Sequence, residues 1–464
     1  MNHTGFQERC WMVFNSPYGK VNTAQPDLIV SGGLVLTMVE GEAPLEEGDV
    51  LVAKGRIADI RKGEGRQGEY APDVEIIDAR ETLVMPGLVN AHTHSAMTLF
   101  RGFADDLPLE QWLYEKIFPA ESRFLSPETV YSGALLACLE MIASGTTCFS
   151  DGYFFQDKTM EAAHEAGLRG LVAQGVLDLP APGVKDPGEA LNHAREFMEK
   201  WQGVSDLLRP GIFCHSPLTC SAQTLKKAMD MSQRYGSPLQ IHLSETAGEV
   251  EEILKRSGKR PARYLSDLGV LKEGLIAVHA VHMDDEELAF LKEKGIRVVH
   301  VPESNMKLCA GMARVTRMAD MGIPLALGTD GCASNNNLDL FQEMDTAAKL
   351  SKVADLDPVA LDAKRVLEMA TIGGAEVLDL GEEIGTLEKG KRADMIIIDL
   401  HSPHLCPLYD PLSALVYAAS GADVRDVIVD GRVLMRDRAF TTLDPGDIME
   451  EMKVLGRKIH QAWT

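Results

Sequence analysis

Two textures of hydrophobic patterning divide the chain. Between Gln25 and Pro86 short apolar runs predict strands: Asp27-Leu28-Ile29-Val30, Leu34-Val35-Leu36-Thr37, Asp49-Val50-Leu51-Val52, Arg56-Ile57-Ala58-Asp59-Ile60 and Val74-Glu75-Ile76-Ile77. Gly-rich turns separate them. The texture returns in Ala393 to Ile398 and in Val424 to Leu434, where Asp430-Gly431 predicts a tight hairpin. Residues 25-86 and 383-440 are therefore expected to pair into one small β-sandwich domain.

Between these flanks, apolar runs of four to seven residues alternate with amphipathic helical stretches, as parallel strands covered by helices do. Eight runs stand out: Leu88 to His94, Thr146 to Ser150, Gly170 to Leu177, Gly211 to His215, Leu239 to Leu243, Leu275 to His279, Arg297 to Val301 and Pro324 to Leu327. Ser126 with Pro127 opens a helix that Gly145 closes, and Ser221 opens one that stops at Gly236. The pattern predicts an α/β chain with a (β/α)8 TIM barrel over 87-382 and a C-terminal helix within 441-464.

Polar residues cluster where such a barrel carries its chemistry, at the ends of the strands. His92 and His94, His215, His242 with Glu245, His279, His300 and Asp330 all stand there. In His92-Thr93-His94 the period of a strand points both imidazoles to one face, where they can chelate one ion. By itself such a pair more often packs or bonds backbone, but His279 and the turn Gly328-Thr329-Asp330-Gly331 add donors from other strands. Imidazoles with one carboxylate suit Zn, Fe or Ni better than Mg or Ca.

Composition narrows the function. The 464 residues, 45% hydrophobic, can bury a large core, and 69 acidic against 46 basic residues leave a net charge of -23. That charge disfavours a nucleic acid as partner. The eight scattered cysteines lack metal or disulfide spacing and suit a reducing cytoplasm. The first 25 residues lack a secretory apolar core and no run is long enough to span a membrane, so neither export nor membrane insertion is expected.

Met85-Pro86-Gly87-Leu88-Val89-Asn90-Ala91-His92-Thr93-His94, Ile241-His242-Leu243-Ser244-Glu245, Gly328-Thr329-Asp330-Gly331 and Lys389-Gly390-Lys391-Arg392-Ala393-Asp394 together resemble the amidohydrolase superfamily. Within it they resemble the deaminases of methylthioadenosine and S-adenosylhomocysteine. The resemblance implies one divalent ion, zinc before iron or nickel, on His92, His94, His242 and Asp330. It implies Glu245, His279 and Asp330 as catalytic groups, with Glu245 protonating the ring and Asp330 taking the proton of water. Trp112, Glu121, His215, Glu245 and Ser334 are the implied substrate contacts. A small nucleoside is the implied partner and a homo-oligomer the implied assembly.

Guanine deaminases and s-triazine hydrolases share the resemblance, and a non-catalytic scaffold is the reading from another class. Where members accepting S-adenosylhomocysteine are expected to carry an arginine, this chain has Gln174, with Lys185 in the next loop as a substitute. His282, His300, His401 and His404 complete no ligand set and read as structural, and Asp284 to Glu287 as a solvated first helical turn.

Overall fold

The computed structural model describes residues 26–63 and 74–463. The N-terminal stretch, with Cys10 and Gln25, and the final Thr464 lie outside the described residues. Five strands precede the barrel: β1 (Leu28–Val35), β2 (Leu45–Ala53), β3 (Arg56–Lys62), β4 (Glu75–Asp78) and β5 (Thr82–Pro86). Eight build it: β6 (Leu88–Thr93), β7 (Thr146–Tyr153), β8 (Arg169–Val176), β9 (Leu208–Cys214), β10 (Leu239–Leu243), β11 (Leu275–His279), β12 (Arg297–His300) and β13 (Leu325–Leu327). Four follow: β14 (Met395–Asp399), β15 (Val424–Val429), β16 (Arg432–Arg436) and β17 (Ala439–Phe440).

The flanks join in one mixed nine-stranded sheet, because β14 pairs antiparallel with β5 and places Ile396 beside Met85. Two details depart from the sequence pattern. The runs at 27–30 and 34–37 belong to one strand, β1, kinked where Gly32 takes φ +85 and the register slips between Ser31 and Gly33. And β5 is a strand of its own, parted from β6 by Gly87 alone, so that consecutive strands enter different sheets. The hairpin at Asp430-Gly431 forms, both residues adopting the positive φ that its tight turn demands.

In the barrel, β6 to β13 lie in sequence order and every neighbouring pair is parallel. Their residues are buried on both faces almost throughout, which explains runs of apolar residues without alternation. The ends meet where Thr329 and Asp330 donate their backbone N–H groups to the His92 carbonyl, at 3.1 and 3.0 Å. Helix Pro127–Ala143 starts at the Ser126 cap, and helix Ala222–Tyr235 runs from Ser221 to Gly236. Helix Pro445–Trp463 docks on Pro127–Ala143, with Ser132 donating to Glu451 at 2.6 Å. Among the described residues, no helix is long and apolar enough to cross a membrane.

Candidate metal centre and nucleoside pocket

His92 and His94 end β6 with both rings buried, and each is oriented through its Nδ1. His92 donates to Gln240 Oε1 at 3.3 Å, and Gln240 is itself anchored on Ser150 Oγ. His94 donates to the Gly152 carbonyl at 2.5 Å. Both Nε2 atoms are thereby left as acceptors aimed inward, the usual arrangement for imidazole ligands. His242 Nε2 lies 3.2 Å from His92 Nε2, and Asp330 Oδ1 lies 3.5 and 3.2 Å from the Nε2 atoms of His92 and His94.

Three imidazole nitrogens and one carboxylate oxygen thus converge within 4.8 Å of one another. Burial, reinforced by its neighbour imidazoles, keeps His242 well below the usual histidine range and lowers His92 to about 4. Burial opposes the charge of Asp330, yet the His92 and His94 rings beside it hold it well below the usual carboxylate range. Asp330 in turn raises His94 against its burial, so the cluster favours positive charge at its centre, and three imidazoles with one carboxylate fit a divalent metal ion.

The strand ends that aim these groups are conformationally unusual. Asp330, His279 and Ser244 take φ values of 61, 72 and 51, a left-handed region that costs non-glycine residues energy and is concentrated at functional sites. The other oxygen of Asp330 accepts from Ser304 Oγ at 2.6 Å and from Ser334 Oγ at 3.0 Å. Glu245 Oε2 lies 3.7 Å from His279 Nε2, whose ring donates from Nδ1 to Asn305 Oδ1 at 2.9 Å. Burial raises the carboxyl of Glu245, favouring its protonated form. Behind it Glu249 accepts the backbone N–H groups of Ser244 and Glu245, both at 2.9 Å.

A cavity opens onto this cluster, lined by His94, His242, Glu245, His279 and Asp330 at the polar end and by Trp112, Glu121, His215 and Ser334 farther round. Trp112 belongs to a π-helical turn, Trp112–Ile117, and its buried Nε1 has no hydrogen-bond partner. Glu121 is buried, accepts from the Tyr153 hydroxyl at 2.5 Å, and is pushed up to about 7 by burial. His215 stacks edge-on to His242 at 5.3 Å, and burial lowers it to about 4.

Every residue singled out in the sequence for metal, proton transfer and substrate lines this one cavity except His92, which joins it only as a member of the four-donor set. His282, bonded to the Ala310 carbonyl, and His401 and His404, paired with carboxylates of the terminal region, do not. His300 ends β12 buried, outside the four-donor set. Gln174 is turned away, its amide spent on Gln156 N and the Gly175 carbonyl, and neither it nor Lys185 lines the cavity. Sequence reasoning overlooked Gln240, Ser304, Asn305, Glu249 and Tyr153. Gln240 alone carried a signal, a polar residue two positions before His242 on the same face of a buried strand.

A model of the amidohydrolase family matches residues 83–434. A 5-methylthioadenosine/S-adenosylhomocysteine deaminase of Syntrophobacter fumaroxidans is 45% identical over 439 residues, 95% of this chain and 100% of the relative. A 5′-deoxyadenosine deaminase of Methanosarcina mazei is 45% identical over 427 residues, 92% of this chain and 96% of the relative. Among solved structures, a zinc-bound adenosine deaminase from Xanthomonas campestris superposes with a TM-score of 0.91 at 36% identity, covering 94% of this chain and 99% of that one.

Proposed function

The chain belongs to the amidohydrolase family, and we propose that it hydrolytically deaminates an adenosine-type nucleoside, such as 5′-methylthioadenosine, S-adenosylhomocysteine or adenosine, to the inosine analogue and ammonia. The observation that carries this reading is the pair Glu245 and His279, 3.7 Å apart at the edge of the four-donor set. His92, His94, His242 and Asp330 would hold the ion, and we assign it as zinc, with iron and nickel compatible with the same donors. When bound, the ion supplies Lewis acidity that brings the pKa of a water towards about 7.

The residues do the rest. Asp330, steadied by Ser304 and Ser334, takes the proton of the attacking water, and His279, fixed by Asn305, orients that water. Glu245, its carboxyl raised by burial, donates a proton to the ring nitrogen beside the amine-bearing carbon as the C–O bond forms, a contribution typically of order 10² to 10⁴ in rate. When the C–N bond breaks, the proton on Asp330 passes to the amine, which leaves as ammonia, and the proton of the new hydroxyl returns to Glu245 as the carbonyl forms. Glu121 and Tyr153 offer the hydroxyl-binding groups that a ribose needs and that a guanine or triazine ring would leave idle. Trp112 walls the nucleoside, His215 meets the purine, and Ser334 adds a hydroxyl beside Asp330. We place the protein in the cytoplasm, since its seven described cysteines are all free.

The test is to incubate metal-analysed protein with methylthioadenosine, adenosine, guanine and a chlorinated triazine, following ammonia release and ultraviolet absorbance. Ammonia from the adenosines is expected. Turnover of another ring without turnover of any adenosine contradicts the proposal.

A further inference from the structure

We infer that this cavity is built for nucleosides whose 5′ substituent is uncharged and apolar, and that it discriminates against an amino-acid tail. The inference rests on the deaminase reading above. If the purine ring lies at Glu245 and Asp330 and the ribose at Glu121, the substituent must leave along the remaining wall. That wall is apolar: Leu109, Leu113, Ile117 and Phe118 come from one segment, with Phe154 and Leu177 from the ends of β7 and β8. The π-helical turn brings Trp112, Leu113 and Ile117 to the cavity, while Glu110, Gln111, Tyr114 and Glu115 stay exposed.

Among the described residues no Lys or Arg lines the cavity, whereas Glu121, Glu245 and Asp330 do. Lys307, next to the lining residue Leu308, is already engaged by Asp105 at 2.6 Å, by the Ala333 carbonyl at 3.2 Å and by Asn336. The amide of Gln174 is spent on backbone groups. The carboxylate and ammonium of an amino-acid tail would therefore lose water against an apolar wall, with no Lys or Arg of the lining to meet the carboxylate. A methyl, methylthio or longer alkylthio group would instead bury apolar surface.

The experiment compares kcat/KM for methylthioadenosine, 5′-n-butylthioadenosine and S-adenosylhomocysteine on the metal-loaded enzyme. The last two match in tail length and differ in charge. The n-butyl compound is expected to rival methylthioadenosine, with S-adenosylhomocysteine on the order of ten- to a hundredfold below it, the penalty for an unsatisfied buried charged group. A deficit of less than about tenfold overturns the inference, because charge is then not read. An equal loss with n-butylthioadenosine overturns it too, since length then decides. Absence of turnover with all three brings down the deaminase reading itself.

Discussion

Glu245 and Asp330 share a cavity but are pushed in opposite directions, Glu245 raised by burial and Asp330 lowered, against its burial, by two imidazoles. In the proposed mechanism that division suits one carboxyl to donating to the ring and the other to receiving the proton of water. Replacing Glu245 with Gln should lower kcat by roughly 10² to 10⁴ while leaving metal content unchanged, as steady-state kinetics beside elemental analysis will register. Ser304→Ala removes one of two hydroxyls steadying Asp330, and about tenfold in kcat should go with it, as for a lost hydrogen bond to a charged group. The candidate ligands and the candidate proton pair stood out in the sequence because each lies at or just past the end of a strand run. Ser304 and Asn305 did not, since they sit in helix Pro302–Lys307 after β12 and reach Asp330 and His279 solely through tertiary packing.

The turn from β10 into helix Ala247–Ser257 shows how an element carries a catalytic group. Ser244 adopts its strained φ of 51 because Glu249, in the first turn of that helix, clamps two successive N–H groups. Burial pushes the Glu249 carboxyl up to about 7 from its ordinary 4.5, against the pull of those N–H groups. The folded chain thus binds this proton more tightly than the unfolded one, a contribution to stability fully present below pH 4.5 and lost as pH rises through about 7. Glu249→Gln has no such proton, so the stability of the parent protein relative to the variant should fall across that window in urea titrations. A rising or flat difference would count against the raised carboxyl. At this scale the barrel strands were plain in the sequence, whereas β5 was hidden, because Thr82–Pro86 is buried without alternation and runs straight into β6.

Across the whole molecule, the barrel is tied to the terminal sheet by Arg169 at the start of β8, which donates to both oxygens of Asp394 at 2.6 and 3.0 Å. Asp394 closes the Lys389-to-Asp394 motif and also accepts the Asp430 backbone N–H at 2.8 Å, so the motif has a structural reason to exist. With both side chains almost fully buried, Arg169→Ala should cost about 3 to 5 kcal/mol in urea denaturation, because it strands a buried carboxylate. The pairing of the two flanks was foreseen from their common texture, but this ion pair needed the three-dimensional register. The proposed activity depends on His92, His94, His242 and Asp330 holding one ion. The most direct measurement strips the protein with a chelator and titrates a divalent metal back while following ammonia release from methylthioadenosine. Activity should be absent in the stripped protein, rise in proportion to bound metal and level off at one ion per chain; full activity without metal, or none at any loading, would contradict it.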